Sequence, residues 1–240
     1  MSTRTFALIT AALIAVAAIR IASTYHVFNQ TVDESIHVAS GLQWLRSHTY
    51  DLDPEHPPLA RVLEAFGPFV EGAAPPPHVD RGAQGNAIFE RDGRYRHNLA
   101  SARVGNLPFF VLAALVIGLW SRELFGNITA VVAVALFTSL PPVLAHAGLA
   151  TTDMAVTAMT TSALFAFSRW LDRPTWRNAI FLGGAVVGGL LSKFSFLIFF
   201  AVAAATLLVA RFRSTAPAPG DALSPSRSHR WNRALQPSLH

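Results

Sequence analysis

Six apolar stretches with almost no internal charge constrain the fold of this chain more than any other feature. They cover residues 6–23, 104–120, 128–144, 155–170, 179–191 and 194–210. A helix needs roughly 20 mostly apolar residues to cross the hydrocarbon core of a bilayer, and most of these stretches approach that length. A composition of 52% hydrophobic and 14% charged residues is also unlike that of an ordinary soluble domain. The sequence therefore predicts an all-α fold, a polytopic transmembrane helical bundle with about six spans.

Basic residues predict how this bundle is oriented. Arg169, Arg173 and Arg177 fall in one short loop, and Lys and Arg are retained on the cytoplasmic side. Both chain ends are then inside, and the first stretch is expected to be an uncleaved anchor, the alternative being a cleaved signal peptide. Because the remaining arginines lie mostly in short loops and the tail, we expect no nucleic-acid partner. The absence of cysteine excludes disulfides and thiolate metal sites.

The polar segments divide the chain into a module and a tail. Residues 1–213 form the predicted transmembrane module, and its first outer loop covers residues 25–100. Apolar positions at helical spacing predict two amphipathic juxtamembrane helices in that loop, over 34–46 and from Pro57-Pro58 to a stop at Gly67-Pro68. Residues 71–98 are predicted as a loop with a short helix at 87–90. Residues 214–240, rich in Pro, Ser, Ala and Arg, are predicted to be a disordered cytoplasmic tail.

Ionisable residues gather on the predicted outer side, and such residues beside a membrane indicate a site. They are Asp33, Glu34, Glu55, His56, Arg103, His146, Asp153 and Lys193. Structural alternatives remain open for several of them. Asp33 and Glu34 could cap the following helix, Arg103 could be an interfacial arginine, and Asp153 could be an N-cap. His37, four places after Asp33, could simply stabilise its helix.

The order of these residues carries a resemblance. An Asp33-Glu34 pair follows the first span, then come Glu55-His56-Pro57-Pro58-Leu59-Ala60-Arg61, Arg103 at the second span, and Arg122-Glu123-Leu124-Phe125-Gly126 at its end. Thr151-Thr152-Asp153 and Ser192-Lys193-Phe194 match less specifically. The chain resembles the dolichyl-phosphate-mannose protein mannosyltransferase family, including its bacterial members. It is also similar to the lipid A aminoarabinose transferases and other polytopic glycosyltransferases of the GT-C class. The likeness covers residues 6–213, and the C-terminal part of the longer family members is lacking.

The resemblance implies a reaction and a set of roles. A sugar would pass, with inversion, from a polyprenyl-phosphate donor to a hydroxyl of a protein, lipid or glycan, as in protein glycosylation, on the outer face of a bacterial inner membrane. Asp33 would be the general base and Glu34 its support. The donor phosphate would be bound by His56, Arg61, Arg103 and Lys193, with His37 and Asp153 behind them. Glu55 and His56 are candidate ligands of a divalent metal ion.

Two other functions compete with this hypothesis. A truncated, catalytically inactive or accessory membrane protein is favoured by the missing C-terminal part. A transporter would also place charges near its spans, but its helix interiors would be polar, whereas these interiors are nearly free of charge. The expected partners are the lipid-linked donor, the acceptor and membrane lipids.

Overall fold

The computed structural model describes residues 1–74, 76 and 79–215, and within them all regular structure is helical. The α-helices are α1 (Thr3–Thr24), α2 (Val32–Ser47), α3 (Pro58–Val70), α4 (Arg81–Glu90), α5 (Tyr95–Val104), α6 (Leu107–Phe125), α7 (Asn127–Ser139), α8 (Pro141–Ala147), α9 (Thr152–Asp172), α10 (Trp176–Ser192) and α11 (Phe196–Thr215). A short 3₁₀ helix, Arg91–Gly93, joins α4 to α5. The all-α prediction is confirmed. The predicted tail falls on residues 214–240, nearly all of which lie outside the described residues.

All six predicted spans are helical, although length and composition single out fewer of them. Three segments are long and apolar enough to cross a membrane: Thr3–Thr24, Tyr95–Phe125 and Phe196–Arg213. The consecutive helices α7 and α8 make a fourth if they are counted as one bent span. The remaining two helices are α9, whose first half carries Asp153 and several threonines, and α10, which has 17 residues. The chain is therefore a polytopic membrane protein whose helices differ in apolar character.

A break between α7 and α8 corrects the prediction of one continuous span over 128–144. The two helices are bent by 63°. Leu140 has ψ 121°, an extended conformation, because the residue before a proline is disfavoured in the α region. Pro141 and Pro142 then occupy the first turn of α8, where proline is tolerated. The broken segment turns the chain towards α9.

The first outer loop forms a packed cluster of helices, which contains the two predicted juxtamembrane helices as α2 and α3. Eight residues of α2 are buried. At Gly41, a Cβ atom would lie only 2.0 Å from the backbone oxygen of Arg61 on α3, and at Gly85 of α4 it would lie 2.0 Å from the backbone oxygen of Ser35. These glycines let three helix backbones pack in direct contact. The result is a rigid frame at one end of the bundle.

Two boundaries in this loop also differ from the predictions. Helix α3 continues through Pro68 to Val70 instead of ending at Gly67-Pro68. Helix α4 begins at Arg81, because the Asp80 side chain accepts hydrogen bonds from the backbone N–H groups of Gly82 and Ala83. The predicted helix at 87–90 is thus the second half of a longer one.

By its internal contacts the chain divides into two units, Met1–Ala203 and Ala204–His240. Within the first unit, α9 and α10 form an antiparallel pair, and Lys193 ends α10 in an extended conformation with φ −163°. The ring of Phe196 then packs on Gly189. The described part of the second unit, residues 204–215, continues α11.

Candidate active site

A polar cavity of about 160 Å³ lies at the end of the bundle that holds the N-termini of α2 and α9. Its walls come from α2, the 53–56 segment, the start of α4, the start of α9 and the turn after α10. The lining residues are Asp33, Ile36, His37, Asp53, Glu55, His56, Arg81, Thr151, Thr152, Asp153 and Lys193. Six of the predicted site residues therefore share one cavity although they are far apart in the sequence. The other three, Glu34, Arg61 and Arg103, are fully buried.

Asp33 projects from the first turn of α2 and is exposed. Its carboxylate makes no hydrogen bond or ion pair with any residue that the structure describes. Asp33 therefore presents free oxygen lone pairs to the cavity.

Glu34 and Arg103 form a buried ion pair beneath the cavity. Arg103 Nε donates to Glu34 Oε1 at 2.7 Å, and Nη2 donates to Oε2 at 3.0 Å. The remaining Arg103 hydrogens go to the backbone oxygens of Tyr25, Phe28 and Asn29. A guanidinium group has five N–H donors, so all five of those of Arg103 are used inside the protein. No donor remains for a phosphate in this arrangement.

The carboxylate of Glu34 also accepts from two backbone N–H groups. These belong to Thr31, at 2.8 Å, and to Ala150, at 2.9 Å. The first contact is the helix cap considered above, since Thr31 and Glu34 form a capping box. The second contact reaches the segment just before α9. Glu34 and Arg103 thereby join α1, α2, α5 and the start of α9 at the base of the cavity.

Arg61 forms a second buried centre, with Asp53 as its ionic partner. Its Nη2 atom donates to Asp53 Oδ2, its Nη1 atom donates to Tyr50 Oη at 3.0 Å, and its Nε atom donates to His37 Nδ1 at 2.9 Å. Asp53 also accepts from Arg81 Nη1 at 2.7 Å. Burial alone would raise the pKa of Asp53, but the hydrogen bond and charge of Arg61 outweigh this effect and hold it below its ordinary value.

Lys193 enters the cavity from the turn between α10 and α11. Its Nζ atom donates to Asp153 Oδ1 at 2.6 Å, and His146 Nδ1 lies 3.4 Å from the other oxygen of Asp153. Asp153 sits in the first turn of α9. The Lys193–Asp153 pair therefore connects two helix ends at the rim of the cavity.

Residues 95–219 match the family model described as dolichyl-phosphate-mannose-protein mannosyltransferase, over more than half of the 240 residues. The chain belongs to this family. No curated protein and no solved structure matches the chain. Membership supports a membrane glycosyltransferase of the GT-C class, and polyprenyl-phosphate sugars are in general the donors of the family.

The residues matched by the family model contain only part of the candidate site. Arg103, Asp153 and Lys193 lie within it, whereas Asp33 and the 55–61 segment come before it. The Glu34–Arg103 pair and the bond from Ala150 to Glu34 connect the two parts. The polar segment in front of the matched region is thus an integral part of the same cavity.

Among the residues that the structure describes, Asp53, Glu55 and His56 form the group that could hold a metal ion. One ligand atom from each lies within 4.8 Å of the others. However, Asp53 already binds both Arg61 and Arg81, and a divalent cation would lie beside two guanidinium charges. These surroundings oppose a metal centre, because like charges at short range repel strongly in a partly buried site.

Three residues that shape the site were not among the predicted site residues. They are Tyr50, Asp53 and Arg81. Asp53 had a signal, since it precedes Glu55 and His56 in one polar run. Arg81 gave none, because its segment has no sustained periodicity and only the fold of α4 onto α2 brings it to Asp53.

Proposed function

We propose that this chain transfers a sugar from a polyprenyl-phosphate donor to an acceptor hydroxyl, with Asp33 as the general base. The observation that carries the proposal is the exposed Asp33 carboxylate, which has no partner within the described part of the chain and lies in a polar cavity with cationic side chains. Family membership supplies the reaction class.

Ion pairing separates Asp33 from two other carboxylates of the cavity, those of Asp53 and Asp153. Asp53 is held by Arg61 and Arg81, and Asp153 by Lys193. A carboxylate bound by a cation is a weaker base, because the cation stabilises its charged form. Asp33 has no such partner among the described residues. It is therefore the better candidate for accepting a proton.

The reaction needs one proton transfer and one substitution at carbon. The acceptor oxygen loses its proton to the Asp33 carboxylate and forms a bond to the anomeric carbon. The bond from that carbon to the phosphate oxygen breaks, and its electron pair stays on the phosphate. Attack opposite the leaving group inverts the configuration.

The leaving phosphate gains negative charge, which fixed cations stabilise. Lys193 and Arg81 line the cavity and are the candidates for this role, together with His56. Arg61 and Arg103 are fully buried and bonded to protein groups. We assign them to positioning: Arg103 holds Glu34 at the base of α2, and Arg61 holds Asp53 and His37.

The two ends of α9 support a position of the site on the outer face. This helix begins at the cavity and, after 21 residues or roughly 30 Å, reaches a second polar cluster. Arg169 and Arg173 line that cluster with Glu123, Asp172 and Asn178. Because arginine is retained on the cytoplasmic side, this cluster supports an outer-face position for the Asp33 cavity, which in a bacterium is the periplasmic side of the inner membrane.

The test is sugar transfer in membranes that contain the chain and a labelled polyprenyl-phosphate sugar. Loss of a general base lowers a rate by about 10²–10⁴-fold. The rate of sugar transfer by Asp33→Asn should therefore be lower than that of wild type by this factor. Asp51→Asn is the matched control, since Asp51 is exposed and lies outside the cavity lining. Equal rates for Asp33→Asn and wild type would refute the assignment. Absence of transfer by the wild-type chain would favour the catalytically inactive alternative.

A further inference from the structure

His37 lies in the middle of the Arg61 centre and also lines the cavity. His37 is buried, with 6% of the surface of the residue exposed. One ring nitrogen, Nδ1, accepts the hydrogen bond from Arg61 Nε at 2.9 Å. The other, Nε2, has no hydrogen-bond partner among the residues that the structure describes. The two nitrogens of His37 therefore have different surroundings.

The bond to Arg61 decides which nitrogen carries the hydrogen. A guanidinium group can only donate, so Nδ1 must be an unprotonated acceptor. The neutral ring then has its hydrogen on Nε2. A doubly protonated ring would lose the bond to Arg61 and would place two cations together. Burial, followed by the charges of Arg61 and His56, lowers the pKa of His37 to about 3.

The surrounding groups keep this arrangement in place. Arg61 cannot turn away from His37 without giving up Asp53 and Tyr50. The ring of His56 packs edge-on against that of His37, with centroids 5.7 Å apart. His37 thus presents a fixed, uncharged N–H donor.

We propose that His37 is a catalytic residue whose Nε2–H donates a hydrogen bond to an oxygen of the glycosyl-phosphate headgroup. This inference rests on the proposed function. His37 follows Asp33 by one helical turn, so the two side chains share a face of α2, with Cβ atoms roughly 5–6 Å apart. In an inverting transfer, the base and the donor headgroup lie on either side of the acceptor oxygen. The spacing of Asp33 and His37 along α2 therefore allows one side chain to contact the acceptor hydroxyl and the other to contact the donor headgroup.

An uncharged donor is suited to this position. A cation there would pair with the Asp33 carboxylate and occupy it, as Lys193 pairs with Asp153. A neutral N–H group can orient the headgroup while leaving the charge of Asp33 free.

Two substitutions separate the contact with the substrate from the contact with Arg61. In His37→Asn, the side-chain oxygen can replace Nδ1 as the acceptor for Arg61, but nothing replaces the Nε2–H group. In His37→Gln, the longer side chain can place an N–H donor near the position of Nε2. We expect His37→Asn to lower kcat/KM by about 10–100-fold, and His37→Gln to stay within about threefold of wild type. If His37→Asn retains activity, or His37→Gln loses as much as His37→Asn, the proposal is wrong.

A second measurement identifies the headgroup oxygen and needs no turnover. Equilibrium binding of sugar-free polyprenyl phosphate to the purified chain is compared between wild type and His37→Asn. Weaker binding by about tenfold means that the contact is to phosphate. Unchanged binding together with a lower kcat/KM means that it is to a sugar hydroxyl. Unchanged binding with unchanged kcat/KM overturns the proposal.

The proposed function has its own, separate failure. It fails if Asp33→Asn transfers sugar as fast as wild type, whatever the His37 variants do. Unfolding temperatures of both His37 variants are measured alongside. Should His37→Gln be unstable, a fall in kcat for a stable His37→Asn still supports the donor role, and an unchanged kcat and KM refutes it.

Discussion

Glu64 provides the sharpest test of the electrostatics of the outer helices. It lies on α3, is fully buried, and neither of its carboxyl oxygens has a hydrogen-bond partner in the part of the chain that the structure describes. Burial raises its pKa from 4.5 to about 8, with Arg61 opposing the shift and Glu34 and Asp153 adding to it. Glu64 is therefore protonated and neutral in the folded protein at pH 7.

The raised pKa makes stability depend on pH with a defined sign. In the unfolded chain Glu64 loses its proton near pH 4.5, whereas the folded protein retains it to about pH 8. The favourable contribution is fully present below pH 4.5 and is lost progressively until the folded group ionises near pH 8. At 1.36 kcal/mol per pH unit, the free energy of unfolding falls by about 2–3 kcal/mol between pH 5 and pH 7. For a chain of this size that equals roughly 5–10 °C in Tm.

The assay is the Tm of the purified protein in detergent across pH 5–8, for wild type and Glu64→Gln. Glutamine has a similar shape and does not titrate, so Glu64→Gln should lose the part of the pH dependence that Glu64 causes and should gain stability on wild type as the pH rises. Glu90→Gln, an exposed position at the end of α4, is the control and should follow wild type. Parallel profiles for wild type and Glu64→Gln would refute the argument.

Two further predictions concern the packing of the outer helices. Breaking a buried ion pair from one side leaves an uncompensated charge, so Glu34→Gln and Arg103→Met should each lower the free energy of unfolding by roughly 3–5 kcal/mol. The double variant should lose less than the sum, and additive losses in denaturant unfolding would contradict the pairing. Gly41→Ala should destabilise by about 1–3 kcal/mol, since its Cβ would meet the Arg61 backbone at 2.0 Å. Gly183→Ala, with no atom within 4 Å, should be neutral or stabilising, and equal effects at the two glycines would refute the contact.

Hydrophobic pattern predicted the elements well, because each depends on local sequence. All six apolar stretches are largely helical, and α2 at Val32–Ser47 closely matches the predicted 34–46. The exception is the predicted span over 128–144, which is broken at Leu140, just before the proline pair at 141–142. The break at Leu140 needs no distant partner, since the proline rule already disfavours a helical residue there.

The packing of the outer loop could not be predicted in the same way. A helix that lies on a membrane surface and one that packs on two other helices can have the same apolar stripe. A glycine inside a helix, such as Gly41, is by itself destabilising, and its role in packing becomes visible only because the backbone of α3 lies against it. Whether a small residue is a defect or a contact depends on a partner that is distant in sequence.

The same reasoning explains which site residues were placed correctly. The sequence order predicted that ionisable groups would gather at one end, and Asp33, His37, Glu55, His56, Asp153 and Lys193 do share one cavity. The sequence order could not predict which cationic side chains form ion pairs inside the protein. Arg103 meets Glu34 across 69 residues, and both are fully buried, so the charge pairs inward rather than facing a substrate.

Ion pairing within the cavity finally distinguishes residues that look equivalent in sequence. Asp53 and Asp153 are each bound by a cation, whereas Asp33 and Glu55 are exposed and have no ionic partner among the described residues. Of these two, only Asp33 lies on a helix. The next residue, Glu34, is held in place by five hydrogen bonds from Arg103, Thr31 and Ala150. A base must be both free to accept a proton and held in position. Asp33 meets both conditions because its neighbour provides the rigidity and leaves its own carboxylate unpaired.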